Sequence, residues 1–86
     1  MYTFEFTPKA AKHFRKLPQS IQLRVRKKLE KYRNHLDPLS FAKRVQNLEG
    51  VSCRFRVGQY RLLCRVENSI CIILVVAIGH RKDIYQ

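Results

Sequence analysis

Hydrophobic residues near the start of the chain change from a period of two to a helical period. Residues 2–6 alternate between aromatic and polar side chains, which predicts a short strand. Thr7 and Pro8 follow, and a hydroxyl cap before a proline at the first helical position predicts that a helix begins there. The apolar positions of this helix recur at helical spacing: Ala10, Ala11, Phe14 and Leu17.

A second helix is predicted after Pro18, which ends the first helix and can open the next. One stripe of this helix is apolar and carries Ile21, Val25, Leu29 and Tyr32. The opposite face is basic and carries Arg24, Arg26, Lys27, Lys28, Lys31 and Arg33. Residues 34–38 stop the helix, and two helices joined so tightly predict an αα-hairpin.

The period returns to two after Pro38. Strands are predicted over Lys43–Leu48, Ser52–Val57, Tyr60–Glu67 and Ile70–Ile78, with two-residue turns at Gly58-Gln59 and Asn68-Ser69. The last strand is almost wholly apolar, as a strand inside a sheet should be. Leaving Lys43–Leu48 aside, the order is β-α-α-β-β-β. We therefore expect one α+β domain over residues 1–86, with an antiparallel sheet packed on an N-terminal αα-hairpin.

The turn at Gly58-Gln59 predicts that Arg56 lies directly opposite Arg61. Like charges directly opposite each other destabilise a sheet by a few tenths to about 1 kcal/mol, so the pair needs an explanation. One interpretation is a phosphate site, because arginine grips phosphate through paired donors. The alternative is that the side chains splay into solvent or that a carboxylate screens them, from Glu49, Glu67 or Asp83.

The turn at Asn68-Ser69 predicts that Leu63 lies opposite Leu74 and Arg61 opposite Val76. The face expected to pack on the helices then collects Phe55, Val57, Tyr60, Leu62, Val66, Ile73, Val75 and the three cysteines. The other face collects Arg54, Arg56, Arg61 and Arg65 beside Leu63, Ile72, Leu74 and Val76. Such an apolar strip often marks a protein interface, and the alternative is that a loop such as Leu36–Ala42 covers it.

Positive charge is the strongest bulk property of the chain. Its 86 residues include 18 Lys and Arg against 6 Asp and Glu, which gives a formal net charge of +12. A domain this basic attracts nucleic acid, anionic membranes or acidic proteins. No apolar run reaches the roughly 18–20 residues of a spanning helix, and no signal peptide is recognised. We therefore expect a cytoplasmic protein without membrane contact.

The cysteines do not form a metal-binding pattern. Cys53, Cys64 and Cys71 lack the spacing of metal ligands and are expected to be buried free thiols. We therefore expect no metal and no cofactor. His80 stands just past the last predicted strand, where an imidazole can exchange a proton near neutral pH; a surface-loop histidine is the alternative.

Three segments of the chain resemble the RelE/ParE toxin superfamily. They are L-E-G at 48–50, C-R-F-R-V-G-Q-Y-R-L-L-C-R-V at 53–66 and I-G-H-R-K-D-I-Y at 78–85. The resemblance implies a microbial-ribonuclease-like RelE fold and the toxin of a type II toxin–antitoxin system. In the RelE branch such a toxin enters the ribosomal A site, cleaves mRNA there and inhibits translation. The ParE branch instead inhibits DNA gyrase and lacks the nuclease residues.

The resemblance also implies roles for single residues. The residues that match the family's nuclease residues are Arg54, Arg56, Arg61, Arg81 and Tyr85. His80 departs from the family, where lysine or other residues also occur, and is added as a proton-transfer candidate; Arg65 is added from the basic face of the sheet. The expected catalytic set is thus Arg61, Arg81, Tyr85 and His80, and the phosphate-binding or RNA-binding set is Arg54, Arg56 and Arg65. The presence of Arg81 together with Tyr85 favours the RelE branch. Our hypothesis is that Tyr85 removes the 2′-hydroxyl proton and His80 protonates the leaving oxygen, or the reverse. Arg81 would orient the leaving group if His80 points away.

Two further surfaces follow from the resemblance and the charge. Arg24, Lys27, Lys28 and Lys31 are expected to contact rRNA, and a solvated helix face is the alternative. Leu63, Ile72, Leu74 and Val76 are expected to bind a cognate antitoxin through an acidic segment that wraps the toxin. The expected partners are thus the antitoxin, the ribosome, rRNA and mRNA. A nucleic-acid-binding module whose αα-hairpin contacts DNA would explain the charge, but not the C-terminal cluster.

Overall fold

The computed structural model describes residues 1–84 as two helices and a five-stranded sheet. The elements are β1 (Thr3–Phe6), α1 (Pro8–Arg15), α2 (Gln19–Arg33), β2 (Lys43–Arg44), β3 (Cys53–Val57), β4 (Tyr60–Glu67) and β5 (Ile72–His80). Short 3₁₀ turns occupy Pro38–Phe41 and Asn68–Ile70. Within the described part of the chain, no helix combines the length and apolar character needed to cross a membrane.

The two helices begin and end where the sequence predicts. The Thr7 hydroxyl accepts a hydrogen bond from the Ala10 N–H at 3.0 Å, and Pro8 is the first residue of α1. Pro18 separates the helices, and its carbonyl accepts the N–H groups of Ile21 and Gln22, both at 3.0 Å. The buried stripe of α2 is the predicted one, with Val25, Leu29 and Tyr32 inside and Ile21 packed against the core.

The strands lie in the order β1-β5-β4-β3-β2. The α+β fold with an N-terminal helix pair is therefore confirmed, and β5 lies inside the sheet as its apolar sequence predicts. The sheet is mixed rather than antiparallel, because β1 pairs with β5 in the parallel direction, with Thr3 opposite Ile72 and Phe6 opposite Val75. β1 and β2 therefore lie at opposite edges of the sheet, and the helix pair connects them.

The hydrophobic core lies between the helices and one face of the sheet. Phe55 is fully buried at its centre, where it stacks on Tyr32 at 5.2 Å and meets the edge of Phe4 at 5.4 Å between ring centroids. The other large side chains that are fully buried are Leu62, Ile73, Val25, Val57, Val75 and Cys64. Together with Phe55, they include six of the ten residues predicted for the helix-facing side.

Two predicted strands differ from the structure by more than one residue at an end. The strand expected over Lys43–Leu48 stops at Arg44, and Asn47 has a positive φ of 63°, which is incompatible with an extended strand. The strand expected over Ile70–Ile78 instead runs from Ile72 to His80. His80 is therefore the last residue of β5 rather than a residue beyond it.

The connection between β4 and β5 is longer than the predicted two residues. It comprises the 3₁₀ turn Asn68–Ile70 and Cys71, which adopts a left-handed conformation with φ of 53° and so lies outside the strands. Tyr2 stabilises this connection, because its hydroxyl donates to Oδ1 of Asn68 at 2.7 Å. The prediction that Glu67 and its neighbours pair across a tight turn was therefore wrong, and Glu67 lies opposite Ile72.

In addition to the longer connection, a bulge at Val76 shifts the pairing register between β4 and β5. Cys64 pairs with Val75 and Leu63 pairs with Ala77, so Val76 has no partner on β4. Its carbonyl instead lies 3.4 Å from the Thr7 hydroxyl, which donates to it. The predicted pairs of Leu63 with Leu74 and of Arg61 with Val76 are thus replaced, and Arg61 lies opposite Gly79.

Candidate functional site

The turn between β3 and β4 gathers basic groups from three parts of the chain. Nη1 of Arg61 donates to the carbonyls of Gly58 at 3.1 Å and Tyr60 at 3.0 Å. From α2, the guanidinium of Arg24 lies so close to Gly58 that a Cβ there would meet it at 3.0 Å. From the chain beyond β5, the Arg81 N–H donates to the carbonyl of Gln59 at 2.8 Å. The turn therefore holds three arginines in one region, at the end of the sheet.

Arg56 lies directly opposite Arg61, which confirms this part of the predicted register. Residues paired in this way share one face of a sheet, so both guanidinium groups leave from the side that faces away from the helices. Arg56 is exposed and Arg61 is half-buried. Of the carboxylates considered as screens, Glu67 pairs with Arg65 at 2.9 Å, which leaves its charge away from the Arg56 and Arg61 pair.

His80 ends β5 directly opposite Tyr60, and their rings meet edge to face with centroids 5.6 Å apart. Neighbouring residues on a strand point to opposite faces, so His80 and Tyr60 lie on the other side of the sheet from Arg61. Nδ1 of His80 accepts the Lys82 N–H at 3.2 Å. In the neutral imidazole the proton is therefore on Nε2, which can donate it outward.

The residues after β5 fold back as a turn over residues 81–84. The carbonyl of His80 accepts the N–H groups of Asp83 at 2.9 Å and Ile84 at 3.0 Å. The Ile84 side chain lies over Gly79, where a Cβ would approach its Cδ1 to 2.9 Å. Tyr85, predicted to be catalytic, lies outside the described residues. We use the name hairpin-end cluster for Arg24, Arg56, Arg61, His80 and Arg81.

The remaining predicted phosphate ligands lie further along the sheet. Arg54 is half-buried and pairs with Leu63 on one side and with Lys43 on the other. Arg65 lies opposite Leu74 and forms its ion pair with Glu67. The structure therefore brings Arg24 and Arg81 to the end of the sheet with Arg56 and Arg61, but not Arg65.

The basic face of α2 extends the positive surface from the hairpin-end cluster. A shallow groove of about 270 Å³ is lined by Arg24, Lys27, Lys28 and Lys31, as the helical spacing predicts. Lys31 also lies over the ring of Phe41, with its Nζ 5.7 Å from the ring centroid. Because Arg24 belongs to both, the groove and the cluster form one continuous basic surface.

The apolar strip on the arginine side of the sheet is partly covered. Leu63 is only 4% exposed, whereas Ile72, Leu74 and Val76 are half-buried. A cavity of about 480 Å³ on this side is lined by Leu63 and Val76 together with Leu48, Val51, Ala77 and Ile84. The segment beside the strip is thus 48–51. The Leu36–Ala42 loop packs on the helix side instead, where Phe41 stacks on Tyr32 at 4.6 Å.

Tyr60 and His13 make two polar contacts that the sequence reasoning missed. The sequence predicts Tyr60 only as a helix-facing residue, because its pairing with His80 depends on the longer β4–β5 connection and on the bulge, which the local pattern does not predict. No sequence pattern marks His13, whose Nδ1 accepts the Ile78 N–H at 3.1 Å, on the edge of β5 that β1 no longer covers. Burial first, and then Lys9 and Lys16, lower the pKa of His13 and favour this neutral acceptor.

A family model described as the ParE toxin of the type II toxin–antitoxin system, parDE, matches residues 4–85. This chain belongs to the RelE/ParE toxin family. Toxin RelG of Mycobacterium tuberculosis is 31% identical to this toxin over 87 residues, which cover 99% of this chain and 97% of the relative. The family predicted from the three sequence segments is therefore confirmed.

Solved structures of RelE-type toxins share the fold of this toxin. A chain of a RelBE toxin–antitoxin complex from Mycobacterium tuberculosis is 28% identical, with a TM-score of 0.77 over 93% of this chain and 98% of that chain. A chain of the RelB–RelE complex from Methanococcus jannaschii is 26% identical, with a TM-score of 0.71 over 94% of both chains. This toxin thus has the α+β fold of RelE structures, with two helices before most of a mixed sheet.

Proposed function

We propose that this toxin is an endoribonuclease that cleaves mRNA in the A site of the ribosome. The observation that carries the proposal is the placement of Arg56 directly opposite Arg61, at the sheet end where His80 also lies. Two guanidinium groups on one face supply paired donors for a phosphate. The imidazole of His80, at the same end of the sheet but on its other face, supplies a group that can transfer a proton. On this proposal the toxin acts in the cytoplasm, where mRNA is translated.

Cleavage by the 2′-hydroxyl of the RNA needs a base, donors for the charged phosphorane and an acid. Arg56 and Arg61 would hold the phosphate oxygens. His80 would protonate the leaving 5′ oxygen through Nε2, since Nδ1 already accepts the Lys82 N–H. Tyr85 would remove the 2′ proton, and the two roles can be exchanged. Arg81, held at the turn through its backbone, would orient the leaving group.

We expect cleavage to require a ribosome, because the chain alone does not fix the position of the phosphate relative to the reacting groups. Arg61 and His80 leave from opposite faces of the sheet, so a phosphate must lie across the sheet end to meet both. A ribosome that holds the mRNA in an in-line geometry would supply this positioning. The basic groove of α2 would contact rRNA phosphates and hold the toxin in the A site.

A cognate antitoxin is the second proposed partner. The relatives solved from Mycobacterium tuberculosis and Methanococcus jannaschii are toxin–antitoxin complexes. An acidic, amphipathic segment would suit this surface, because the apolar cavity beside Leu63 and Val76 adjoins Lys9 and Arg65. Ile72 and Leu74 would extend the same contact along the sheet.

Arg61→Ala tests the proposed site in a reconstituted translation reaction. We expect at least about a tenfold loss in the rate of mRNA cleavage, because a donor to the transition-state phosphate is removed. Tyr85→Phe should lose at least about as much, since the phenol would no longer exchange a proton. Arg15→Ala removes the same charge from an exposed position on α1 and should cleave normally. Full activity of both site variants would sink the assignment.

The second candidate function is inhibition of DNA gyrase without nuclease activity. It is favoured by the family model, whose description is that of a ParE toxin. Purified toxin added to a translation reaction and, separately, to a supercoiling reaction distinguishes the two functions. Cut mRNA with normal supercoiling supports the nuclease, and intact mRNA with blocked supercoiling supports the gyrase inhibitor.

A further inference from the structure

Two buried cysteines face each other across β3 and β4. Cys53 lies directly opposite Cys64, with exposed fractions of 7% and 0%. Both are free thiols, as is Cys71. Residues directly opposite in an antiparallel pair have Cα atoms about 4.5–5.5 Å apart, which lies within the roughly 4.4–6.8 Å that a disulfide spans. The register therefore places these two cysteines at a Cα separation that a disulfide can span after a small approach of the side chains.

Cys53 borders a route from solvent, whereas Cys64 is fully buried. A cavity of about 410 Å³ on the helix side is lined by Cys53 together with Leu39, Ala42, Arg44, Ser52, Val66 and Asn68. Arg44 is the partner of Cys53 on β2, so a positive charge stands at the wall of this cavity. Cys64 lies beneath and is sealed from solvent. A small oxidant entering the cavity would therefore meet Cys53 first.

The local interactions also distinguish the two sulfur atoms. A hydrogen bond from the Cys64 side chain is the largest influence on Cys53 and lowers its pKa, against the opposing effect of burial. The same hydrogen bond and burial raise the pKa of Cys64. The thiolate, which is the nucleophilic form, is thus favoured at the sulfur that borders the cavity.

We propose that Cys53 and Cys64 are a peroxide-oxidised pair that closes a disulfide across β3 and β4. The Cys53 thiolate attacks one oxygen of hydrogen peroxide and the O–O bond breaks, which gives a Cys53 sulfenic acid and hydroxide. The Cys64 sulfur then attacks the sulfenic sulfur, an S–S bond forms, and the hydroxyl leaves as water with the Cys64 proton. Two thiols and one peroxide thus give one disulfide and two waters. This inference does not rest on the proposed function.

The test is peptide mapping of the folded, full-length toxin after treatment with hydrogen peroxide. The remaining thiols are alkylated before digestion, and the digest is analysed without reduction. We expect the intact mass to fall by two hydrogen atoms and a linked peptide pair to join Cys53 to Cys64, while Cys71 remains alkylated. Recovery of Cys53 and Cys64 as alkylated thiols from fully oxidant-treated protein overturns the proposal.

Two variants make the test specific. Cys71→Ser removes the third thiol, which lies outside the strands, and should leave the Cys53–Cys64 linkage unchanged. Cys64→Ala removes the resolving sulfur, so oxidation should stop at a Cys53 sulfenic acid that dimedone traps. If Cys64→Ala does not fold, the mapping of the wild-type chain decides alone. A linkage through Cys71, within or between chains, would contradict the assignment.

Discussion

Arg61 shows how a single side chain tolerates a like charge directly opposite it. Its Nη1 donates to two carbonyls of the hairpin turn, and these partial negative charges offset part of the repulsion from Arg56. The same bonds fix the guanidinium, so little side-chain entropy remains to be lost when an anion binds. The opposed arginines are therefore compatible with both a stable sheet and a prepared phosphate site.

His13 makes the stability of the fold depend on pH. Its pKa is lowered in the folded state, so the unfolded chain binds a proton more readily than the folded chain does. The stabilisation from neutral His13 is thus complete above the unfolded pKa of about 6.5 and declines as the pH falls through that value. We expect the free energy of unfolding, measured by urea denaturation, to decrease as the pH is lowered from about 7.5 to about 5.5. This range extends about one pH unit to each side of the unfolded pKa of His13.

His13→Asn is the matched control for this titration. Asparagine places an acceptor oxygen near the position of Nδ1 and does not titrate in this range. The part of the pH dependence due to His13 should therefore vanish in this variant. His13→Ala should lose about 1 kcal/mol at pH 7.5, because the Ile78 N–H loses its acceptor. Equal pH slopes in the wild type and His13→Asn would exclude this role.

At the scale of elements, the turn between β3 and β4 links the fold to the site. Gly58 has a φ of +58°, which favours glycine, and its missing side chain leaves room for the Arg24 guanidinium. Gly58→Ala should cost about 1 kcal/mol of stability through backbone strain. It should also displace Arg24 and so reduce mRNA cleavage or rRNA binding further than the stability loss explains.

Gly50→Ala separates these two effects. Gly50 also has a positive φ, of +77°, but the nearest side-chain atom would lie at an ordinary 3.8 Å from an added Cβ. The variant should lose a similar amount of stability, read from thermal or urea unfolding, while RNA binding stays near that of the wild type. Parallel losses of binding in both glycine variants would mean that Arg24 is not held in place by the turn.

The elements also mark the limit of what the sequence could predict. Local signals such as Thr7-Pro8, the α2 stripe and the Gly58-Gln59 turn depend on neighbouring residues, and each was predicted correctly. The β4–β5 connection and the Val76 bulge instead form hydrogen bonds with Tyr2 and Thr7, which lie 66 and 69 residues away in the sequence. For this reason the pairing of His80 with Tyr60 could not be read from local pattern.

At the scale of the whole molecule, a net charge of +12 governs any encounter with nucleic acid. We expect ribosome or RNA binding to weaken linearly on a log–log plot against salt, as counterions return to the phosphates. The triple variant Arg24→Ala, Lys27→Ala, Lys31→Ala should reduce the magnitude of that slope by about one unit for each phosphate that the toxin ceases to neutralise. Filter binding over a salt series measures it.

A triple variant on α1 controls for net charge alone. Lys12→Ala, Arg15→Ala, Lys16→Ala removes the same number of positive charges from the other helix and its C-terminal end. If the α2 groove contacts RNA, the α1 variant should keep nearly the full slope. Similar slopes in the two variants would show that the attraction is a property of the overall charge and that α2 is only a solvated face.

The parallel pairing of β1 with β5 has a consequence for the synthesis of the chain. Thr3 finds its partner only at Ile72, so the first strand emerges from a ribosome long before the strand that completes the sheet. Pairings of such large sequence separation form late and slow folding. The hairpin-end cluster needs His80 and Arg81 from the same late segment. A nascent chain therefore cannot assemble the hairpin-end cluster until its translation is almost complete.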